Sequence, residues 1–406
     1  MIINDCELSN GSRLLHVRCK GDVSIFGAMI NAGSRDEMPG EHGFAHLVEH
    51  MLFKGTTHRD YAQIINRVED VGGDINAFTT KEDTTLYTIF LKRYLPRMTE
   101  LICDMVFNPE FTDEMLRRET EVIRDEIDSY SDNPIELILD DFEDVIFSGS
   151  PIGHNILGEK RTISAATRQK VSAFYKRCYT NGRITFFCMG EYDFERVRKL
   201  LEQHTSSSGA IDKEASRMPP ATYSPRKLYL KKRTQQVHCV LGNRAYRATD
   251  ERRPALALLN NLLGGNCLSS RLNMSLRENH GLVYTVESQY TPYSDTGNWN
   301  IYMGADRSDI CKAVSLAKSE LSKLCESRLS EKELSKAKRK FLAQMTLGGE
   351  VKENWILAAV RQYTEYGRIF EKNEAEAAVN SISPELLREV ACDIFDENKI
   401  SELYYE

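Results

Sequence analysis

An internal repeat is the feature that most constrains how this chain can fold. Residues 205–225 carry little periodic hydrophobicity and divide the 406 residues into halves of similar length. Each half contains a short β-rich run, at residues 23–33 and 236–246, and an apolar helix follows each run. A repeat of this size predicts two homologous domains, residues 1–204 and 226–406, joined by a linker at 205–225.

Two pairs of helices set the register of the repeat. The helix at 46–53 corresponds to the helix at 257–264, 211 residues later, and the helix at 114–119 corresponds to that at 332–337, 218 residues later. Alternating strands and further helices lie between them, at residues 84–91, 94–107, 296–303 and 308–326. We therefore predict an α+β fold of two homologous α/β sandwich domains, each a mostly antiparallel sheet with helices packed on it.

Composition limits the partners and the compartment. The 53 basic and 60 acidic side chains give a formal charge of −7, which provides no electrostatic footprint for nucleic acid or for an anionic membrane surface. The N-terminus lacks signal-peptide features, and no 18 apolar residues run together, so neither export nor a membrane span is expected. The ten cysteines are spaced singly, without a C-x-x-C pair, which predicts reduced thiols in a cytoplasmic protein.

The chemistry of the first half centres on the motif H-x-x-E-H, formed by His46, Glu49 and His50. On a helix, the three side chains project from one sector of about 100°. The other positions of this helix are apolar, so we expect the helix to be buried. Burying two imidazoles and a carboxylate is costly unless a metal or other partners satisfy them. The motif therefore indicates a metal site; the alternative is two core histidines bonded to Glu49 or to backbone carbonyls.

A second helix, predicted at residues 112–130, carries two further acids. Glu119 and Glu126 both fall on its apolar stripe, where a carboxylate needs a cation, a metal or several donors. Two histidines and one glutamate, with a fourth position left for water, form the ligand set of a hydrolytic zinc site. Either glutamate could complete that set; the alternative is a pair of structural buried acids bonded to backbone or to arginine.

Residues 42–56 carry H-x-x-E-H in a context that resembles the insulinase/pitrilysin family of zinc peptidases, which includes the mitochondrial processing peptidases. In that family the third zinc ligand is a glutamate about 76 residues after the second histidine, and Glu126 lies 76 residues after His50. The resemblance implies a role for each member of the site: His46, His50 and Glu126 as ligands of zinc, Glu49 as general base and Glu119 as a supporting acid.

The resemblance extends to three further segments. Asn76-Ala77-Phe78-Thr79 is similar to the family's substrate-binding edge strand, and Gly264-Gly265 with Ser269-Ser270-Arg271-Leu272 resembles its glycine-rich loop. Arg277 and Tyr284, seven residues apart, are similar to the family's Arg/Tyr pair, which implies contact with the substrate and its oxyanion. Without the resemblance, residues 76–79 would be an ordinary edge strand, Arg277 a solvated helix residue and Tyr284 a core aromatic.

The second half lacks the ligand set. At the positions that correspond to the two histidines and the three acids, it has Ala257, Asn260, Asn261, Ala337 and Gln344. We therefore expect one Zn²⁺ per chain, held by the first half. Conversely, the first half has no obvious counterpart of the Arg/Tyr pair.

Together these features predict a zinc-dependent endopeptidase that hydrolyses short or unfolded peptides, held as an added strand inside a clamshell chamber. Larger family members enclose the substrate between two such two-domain units, so we expect a homodimer, or a dimer with a related subunit. One alternative is a non-catalytic peptide-binding or scaffold subunit, against which the complete ligand set argues. A second is a zinc hydrolase of a non-peptide substrate, in which the strand at residues 76–79 would have no purpose.

Overall fold

A computed structural model describes residues 1–205, 217–265 and 267–406 of the chain. Residues 206–216, which make up about half of the predicted linker, and Asn266 lie outside the described residues. The described remainder of that linker, residue 205 and residues 217–225, contains neither helix nor strand.

The secondary-structure elements are numbered here in chain order. The strands are β1 (Ile2–Glu7), β2 (Arg13–Arg18), β3 (Val23–Ile30), β4 (Asp74–Thr79), β5 (Thr84–Leu91), β6 (Ile184–Gly190), β7 (Lys227–Leu230), β8 (Val237–Ala245), β9 (Thr285–Pro292), β10 (Gly297–Ala305) and β11 (Ser401–Tyr405). The helices are α1 (Phe44–Lys54), α2 (Tyr61–Glu69), α3 (Leu95–Phe107), α4 (Asp113–Ser131), α5 (Pro134–Ile146), α6 (Lys160–Ser164), α7 (Arg168–Cys178), α8 (Phe194–Glu202), α9 (Arg253–Gly264), α10 (Ile310–Glu326), α11 (Glu331–Gly349), α12 (Lys352–Tyr366), α13 (Lys372–Asn380) and α14 (Pro384–Ile394). Within the described part of the chain, none of these helices has the length and apolar character that crossing a membrane requires.

The chain divides into two compact units. The first comprises Met1–Ser129, His154–Met218 and Ile356–Gly367; the second comprises Tyr130–Gly153, Pro219–Trp355 and Arg368–Glu406. Each unit contains one sheet with helices packed on it, so the predicted fold class is confirmed.

The two sheets repeat one topology. The first has the strand order β1-β2-β6-β3-β5-β4 and the second β7-β11-β8-β10-β9. Apart from β1, each strand of the first sheet has a counterpart at the same place in the second. In both sheets one pair is parallel, β2 with β6 and β7 with β11, and the remaining neighbours are antiparallel. The repeat inferred from the helices therefore extends to the strands.

The core of the first unit lies between its sheet and the helices α1 and α3. Strands β3 and β6 are buried along almost their whole length because both have neighbours on each side. Phe26 and Phe186 from the sheet pack in one cluster with Leu47 and Met51 of α1 and Leu101 of α3. This packing fixes α1, with its histidines, on the sheet.

The two units do not coincide with the predicted halves, residues 1–204 and 226–406. Tyr130–Gly153, from the first half, belongs to the second unit, and Ile356–Gly367, from the second half, belongs to the first unit. Helix α5 packs Phe142 against Val240 and Leu403 of the second sheet, where Gly242 leaves room because a Cβ there would lie 2.8 Å from the Phe142 ring. In α12, the hydroxyl of Tyr363 donates a 2.9 Å hydrogen bond to Asp5 of the first unit. Such partners, far apart in sequence, are not visible in the local periodicity of the chain.

His16 of β2 gives the first unit a specific dependence on pH. The side chain is fully buried, and neither ring nitrogen has a hydrogen-bond partner among the described residues, so burial lowers the pKa of His16 to about 4. The unfolded chain binds this proton near pH 6.5. Above pH 6.5, His16 therefore does not lower the free energy of unfolding. As the pH falls from 6.5 to 4, protonation of the unfolded chain lowers that free energy by about 3 kcal/mol. When the free energy of unfolding is measured in urea at a series of pH values, it should fall less steeply between pH 6.5 and pH 4 in His16→Leu than in the unaltered protein.

The comparison needs a histidine that is not buried. His280 is exposed, so His280→Leu should leave the slope between pH 6.5 and pH 4 as it is in the unaltered protein. An equal slope in His16→Leu and in the unaltered protein would show that His16 does not contribute to it.

Candidate metal centre

Helix α1 presents three polar side chains from an otherwise apolar surface. Its residues Leu47, Val48 and Met51 are fully buried, as predicted for this helix. His46 and His50 are each less than one-fifth exposed, and their rings lie 4.5 Å apart. The spacing of the motif thus brings both imidazoles to one place beside the sheet.

Helix α4 supplies the two acids that the sequence singles out. Oε2 of Glu126 lies 3.6 Å from Nε2 of His50 and 4.0 Å from Nε2 of His46. Oε2 of Glu119 lies 3.2 Å from Nδ1 of His50. The expectation that both acids are buried is correct for Glu119, which is 6% exposed, but wrong for Glu126, which is 42% exposed. The Glu126 carboxylate faces the ring nitrogens of the two histidines and is not enclosed by apolar side chains as the helix pattern predicted, so it stays more exposed than Glu119.

The geometry around His46, His50 and Glu126 fits a zinc ion. One ligand atom from each residue lies within 4.8 Å of the other two, and this is the one such group of three among the described residues. Ligands about 2.1 Å from a tetrahedral zinc are separated by about 3.4 Å, so a small contraction of the group suffices. Because the Glu119 carboxylate accepts from Nδ1 of His50, the lone pair of the neutral ring is left on Nε2, facing Glu126.

Burial and hydrogen bonding set the charges in the centre. Burial, together with His50, lowers the pKa of His46 to about 3, which keeps its ring neutral and able to bind a metal. Burial alone would also lower the pKa of His50, but the hydrogen bond to Glu119 and the charges of Glu126 and Glu49 outweigh it and raise that pKa. Because a metal ligand must be deprotonated, a metal and a proton compete for His50.

Glu49 lies between the metal cluster and the edge of the first sheet. Its Oε2 accepts a 2.5 Å hydrogen bond from Oγ1 of Thr79, the last residue of β4. Burial raises the pKa of Glu49, although the Thr79 bond and His50 act in the opposite direction. Strand β4 stands at the end of its sheet, with β5 as its neighbour there, so the edge-strand prediction for residues 76–79 is confirmed.

Lys54 and Glu37 support the centre in ways that sequence reasoning missed. Nζ of Lys54 lies 3.1 Å from Oε1 of Glu119, and despite burial this cation and His50 keep the pKa of Glu119 low. Glu37 is buried and accepts hydrogen bonds from the backbone N–H groups of Gly43 and Ala45, at the start of α1. The four-residue spacing from His50 to Lys54 could have suggested a shared helix face; nothing local in the sequence points to Glu37.

The second unit contains the uncharged counterpart of this centre. Nδ2 of Asn261 donates a 2.8 Å hydrogen bond to Oε1 of Gln344, which joins α9 to α11 as His50 and Glu126 join α1 to α4. Asn260 bonds to Ser288 of β9, the edge strand equivalent to β4. These contacts occur at the positions that the offsets of 211 and 218 residues predict. The amides of Asn261 and Gln344 bond to each other where the first unit has the candidate metal ligands His50 and Glu126.

Arg277 and Tyr284 both belong to the second unit. Arg277 is exposed on a short π-helical stretch, Asn273–Glu278, which follows the predicted loop residues 269–272. Tyr284 precedes β9, is 54% exposed, and donates a 3.1 Å hydrogen bond to Oδ2 of Asp306. The alternative that Tyr284 is a core aromatic is therefore wrong. The roles of both residues toward a substrate stay predictions.

Two family models match consecutive parts of the chain. The model described as "Insulinase (Peptidase family M16)" matches residues 15–160, and the model described as "Peptidase M16 inactive domain" matches residues 165–341. The first range contains the whole His46, His50 and Glu126 cluster, and the second contains none of it.

Curated relatives cover most of the chain. A protein of Streptomyces coelicolor named as an uncharacterized zinc protease is 30% identical over 379 residues, which are 91% of this chain and 82% of the relative. An uncharacterized zinc protease of Bacillus subtilis is 28% identical over 92% of this chain and 90% of its own length. The names of these relatives agree with the metal that the donor set fits.

Solved structures agree with the fold. A protease from Helicobacter pylori superimposes with a TM-score of 0.91 at 20% identity, over 100% of this chain and 99% of that chain. A peptidase M16 inactive domain from Pseudomonas fluorescens gives a TM-score of 0.91 at 19% identity, over 100% and 98%. With the family matches in both halves, the relatives that are named as zinc proteases and the repeated two-unit fold, the chain belongs to the insulinase family, peptidase family M16, in its half-size two-domain form.

Proposed function

We propose that this protein is a zinc-dependent endopeptidase acting on short or unfolded peptides. The observation that carries the proposal is the convergence of His46, His50 and Glu126 beside Glu49, which itself is bonded to the edge strand β4. A carboxylate positioned between a candidate metal site and a free strand edge suits the hydrolysis of an extended peptide.

The residues of this chain divide the work of hydrolysis. His46, His50 and Glu126 hold the metal, one ion per chain. Zinc bound by such a set supplies Lewis acidity, which polarises a carbonyl group and makes a water molecule more acidic. Glu49 accepts the proton of the attacking water and returns it to the leaving amine, and burial raises its pKa, which makes it a stronger proton acceptor. The Thr79 hydroxyl holds one oxygen of Glu49 and leaves the other for the proton.

Strand β4 is the proposed binding site for the peptide backbone. Asn76, Ala77, Phe78 and Thr79 lie at the end of the sheet, so an extended peptide can add as a further strand. Binding through main-chain hydrogen bonds requires an extended backbone and imposes little sequence preference. This requirement excludes folded proteins and is the reason for proposing short or unfolded peptides.

We also propose a homodimer, or a pair with a related subunit, in which Arg277 and Tyr284 of one chain act on the peptide held by the other. Both side chains are exposed and belong to the unit without metal ligands. Their charge and hydroxyl suit the substrate backbone and a developing oxyanion. The ten cysteines are all free, which favours a cytoplasmic location for this assembly.

The decisive experiment maps cuts in a mixed peptide library by mass spectrometry, with the zinc-loaded protein and with chelator. Internal cuts that disappear with chelator and return with added zinc are expected. The match of residues 165–341 to an inactive domain favours one alternative, a non-catalytic peptide-binding or scaffold subunit. Peptides retained by the zinc-loaded protein but left uncut would establish that alternative.

Mixing two defective variants tests the proposed dimer. Glu49→Gln and Tyr284→Phe, each weak alone, should regain activity when their subunits exchange. One site of the mixed dimer then has both intact groups, and the other has both defects. Random exchange makes about half of the dimers mixed, so the ceiling is roughly a quarter of native activity, given two-fold symmetry.

Peptide cleavage before and after mixing gives the measurement, and two preparations of Glu49→Gln mixed in the same way give the control. A fully active monomer, or no recovery despite demonstrated exchange, would show that Tyr284 does not act across a dimer.

A further inference from the structure

Two thiols lie close together on neighbouring helices of the second unit, whereas the candidate metal centre belongs to the first unit. Cys325 lies in the last turn of α10 and Cys392 in the last turn of α14. Sγ of Cys392 lies 3.4 Å from the backbone oxygen of Cys325, so the two cysteines are in direct contact. Cys392 is exposed and Cys325 is half-buried, so an oxidant in solution can reach the pair.

We infer that Cys325 and Cys392 are an oxidation site that closes to a reversible disulfide. The Cys392 sulfur already contacts the backbone of Cys325, and a disulfide requires the two sulfurs to approach to about 2.05 Å. The inference concerns the second unit only, and it holds whether or not the protein cleaves peptides.

The two cysteines have different parts in the reaction. The exposed Cys392 thiol reacts first with a peroxide, giving a sulfenic acid and one water. The Cys325 thiol then attacks the Cys392 sulfur, the S–O bond breaks, and a second water leaves as the S–S bond forms. In total, two thiols are oxidised to a disulfide and one hydrogen peroxide is reduced to two waters. Burial and the neighbouring Cys392 raise the pKa of Cys325 to about 12, which suits it to the second step rather than the first.

The position of the pair gives the bond a mechanical role. The 66 residues between Cys325 and Cys392 include Ile356–Gly367, which cluster with the first unit. The helices at the two ends of this segment, α10 and α14, contact each other, and Nε of Arg388 donates a 2.7 Å hydrogen bond to the backbone oxygen of Cys325. A disulfide would fasten the two helices covalently and close the long loop, which restricts the unfolded chain.

The simpler account of Cys392 is that its thiol only caps α10. The last carbonyl groups of a helix have no partner within it, and Arg388 and Cys392 both bond to the Cys325 oxygen. A capping role requires no reaction between the sulfurs. Oxidation of the intact protein therefore separates the two accounts.

The experiment treats the zinc-loaded full-length protein with a few equivalents of hydrogen peroxide, blocks the remaining thiols and maps the peptides by mass spectrometry. We expect a linked peptide containing Cys325 and Cys392, an intact mass lower by two hydrogens, and full reversal by dithiothreitol. Cys325→Ser and Cys392→Ser should each abolish the link. Cys311→Ser is the matched control, because Cys311 is exposed on the same helix α10, and it should leave the link unchanged.

Two results would overturn the inference. One is recovery of Cys392 as sulfinic or sulfonic acid while Cys325 stays reduced, and the other is a disulfide between chains in place of the internal one. The mechanical role has its own measurement: the linked protein should unfold about 3–8 °C higher than the reduced protein, and the Cys392→Ser variant should show no such rise. An unchanged Tm of the linked protein would refute that role.

Discussion

Glu49→Gln is expected to lower kcat for peptide cleavage by about 10²–10⁴-fold while the protein keeps one zinc per chain. The substitution removes the carboxylate that is proposed to accept the proton, yet it leaves His46, His50 and Glu126 in place. The new amide has the shape of the carboxylate and can still accept the hydrogen bond from Thr79. Cleavage of a fluorogenic peptide and metal analysis of the same preparation give the two measurements.

Glu69→Gln is the control for this substitution, because Glu69 is exposed at the end of α2 and should tolerate the same change without effect. Cleavage by Glu49→Gln at near the native rate would exclude Glu49 as the base. Loss of zinc together with activity would instead assign Glu49 to the metal.

Glu126→Gln is expected to remove zinc and activity together. A neutral amide is a poor ligand for zinc, and the two histidines alone leave the metal without its third protein ligand. The dissociation constant for zinc should rise by more than the 10–100-fold that is typical when a group supporting a ligand is lost. Zinc content by mass spectrometry of the desalted protein, about one per chain before the substitution, gives the measurement.

Helix α4 offers two graded comparisons for Glu126→Gln. Glu119→Gln should weaken zinc binding by about 10–100-fold, because Glu119 orients His50 rather than the metal. Glu121→Gln, at an exposed pair with Arg117, should leave zinc binding unchanged. Equal effects of Glu119→Gln and Glu126→Gln would contradict the assigned roles, as would two zinc ions per unaltered chain or none after reconstitution.

The features that could be predicted from the sequence depend on residues that are close together in the chain. The helical period alone places His46, Glu49 and His50 in one sector, and the structure has them on one face of α1. The repeat register is also encoded locally, since each helix of a pair carries its own apolar pattern. The bond between Asn261 and Gln344 occurs where that register places the counterparts of His50 and Glu126.

The features that could not be predicted depend on partners distant in sequence. An apolar stripe shows that a helix face is buried, but it does not name the surface that covers it. For this reason the packing of α5 on the second sheet and the exposure of Glu126 differ from expectation. Two further hydrogen bonds were not predicted: Glu49 accepts one from Thr79, and Glu37 accepts one from the backbone N–H of Gly43 at the start of α1.

Local periodicity was thus enough to locate the candidate functional groups: it showed which residue types share a helix face, and which half of the chain has them. The tertiary structure alone decided which of these groups meet. His50 lies beside Glu126, 76 residues away in sequence, because α1 and α4 pack on the same core. Glu49 accepts a hydrogen bond from Thr79 because β4 ends beside α1. The physical reason is that the period of a helix or strand is set by the backbone, residue by residue, whereas contacts between elements are set by the packing of whole side-chain surfaces.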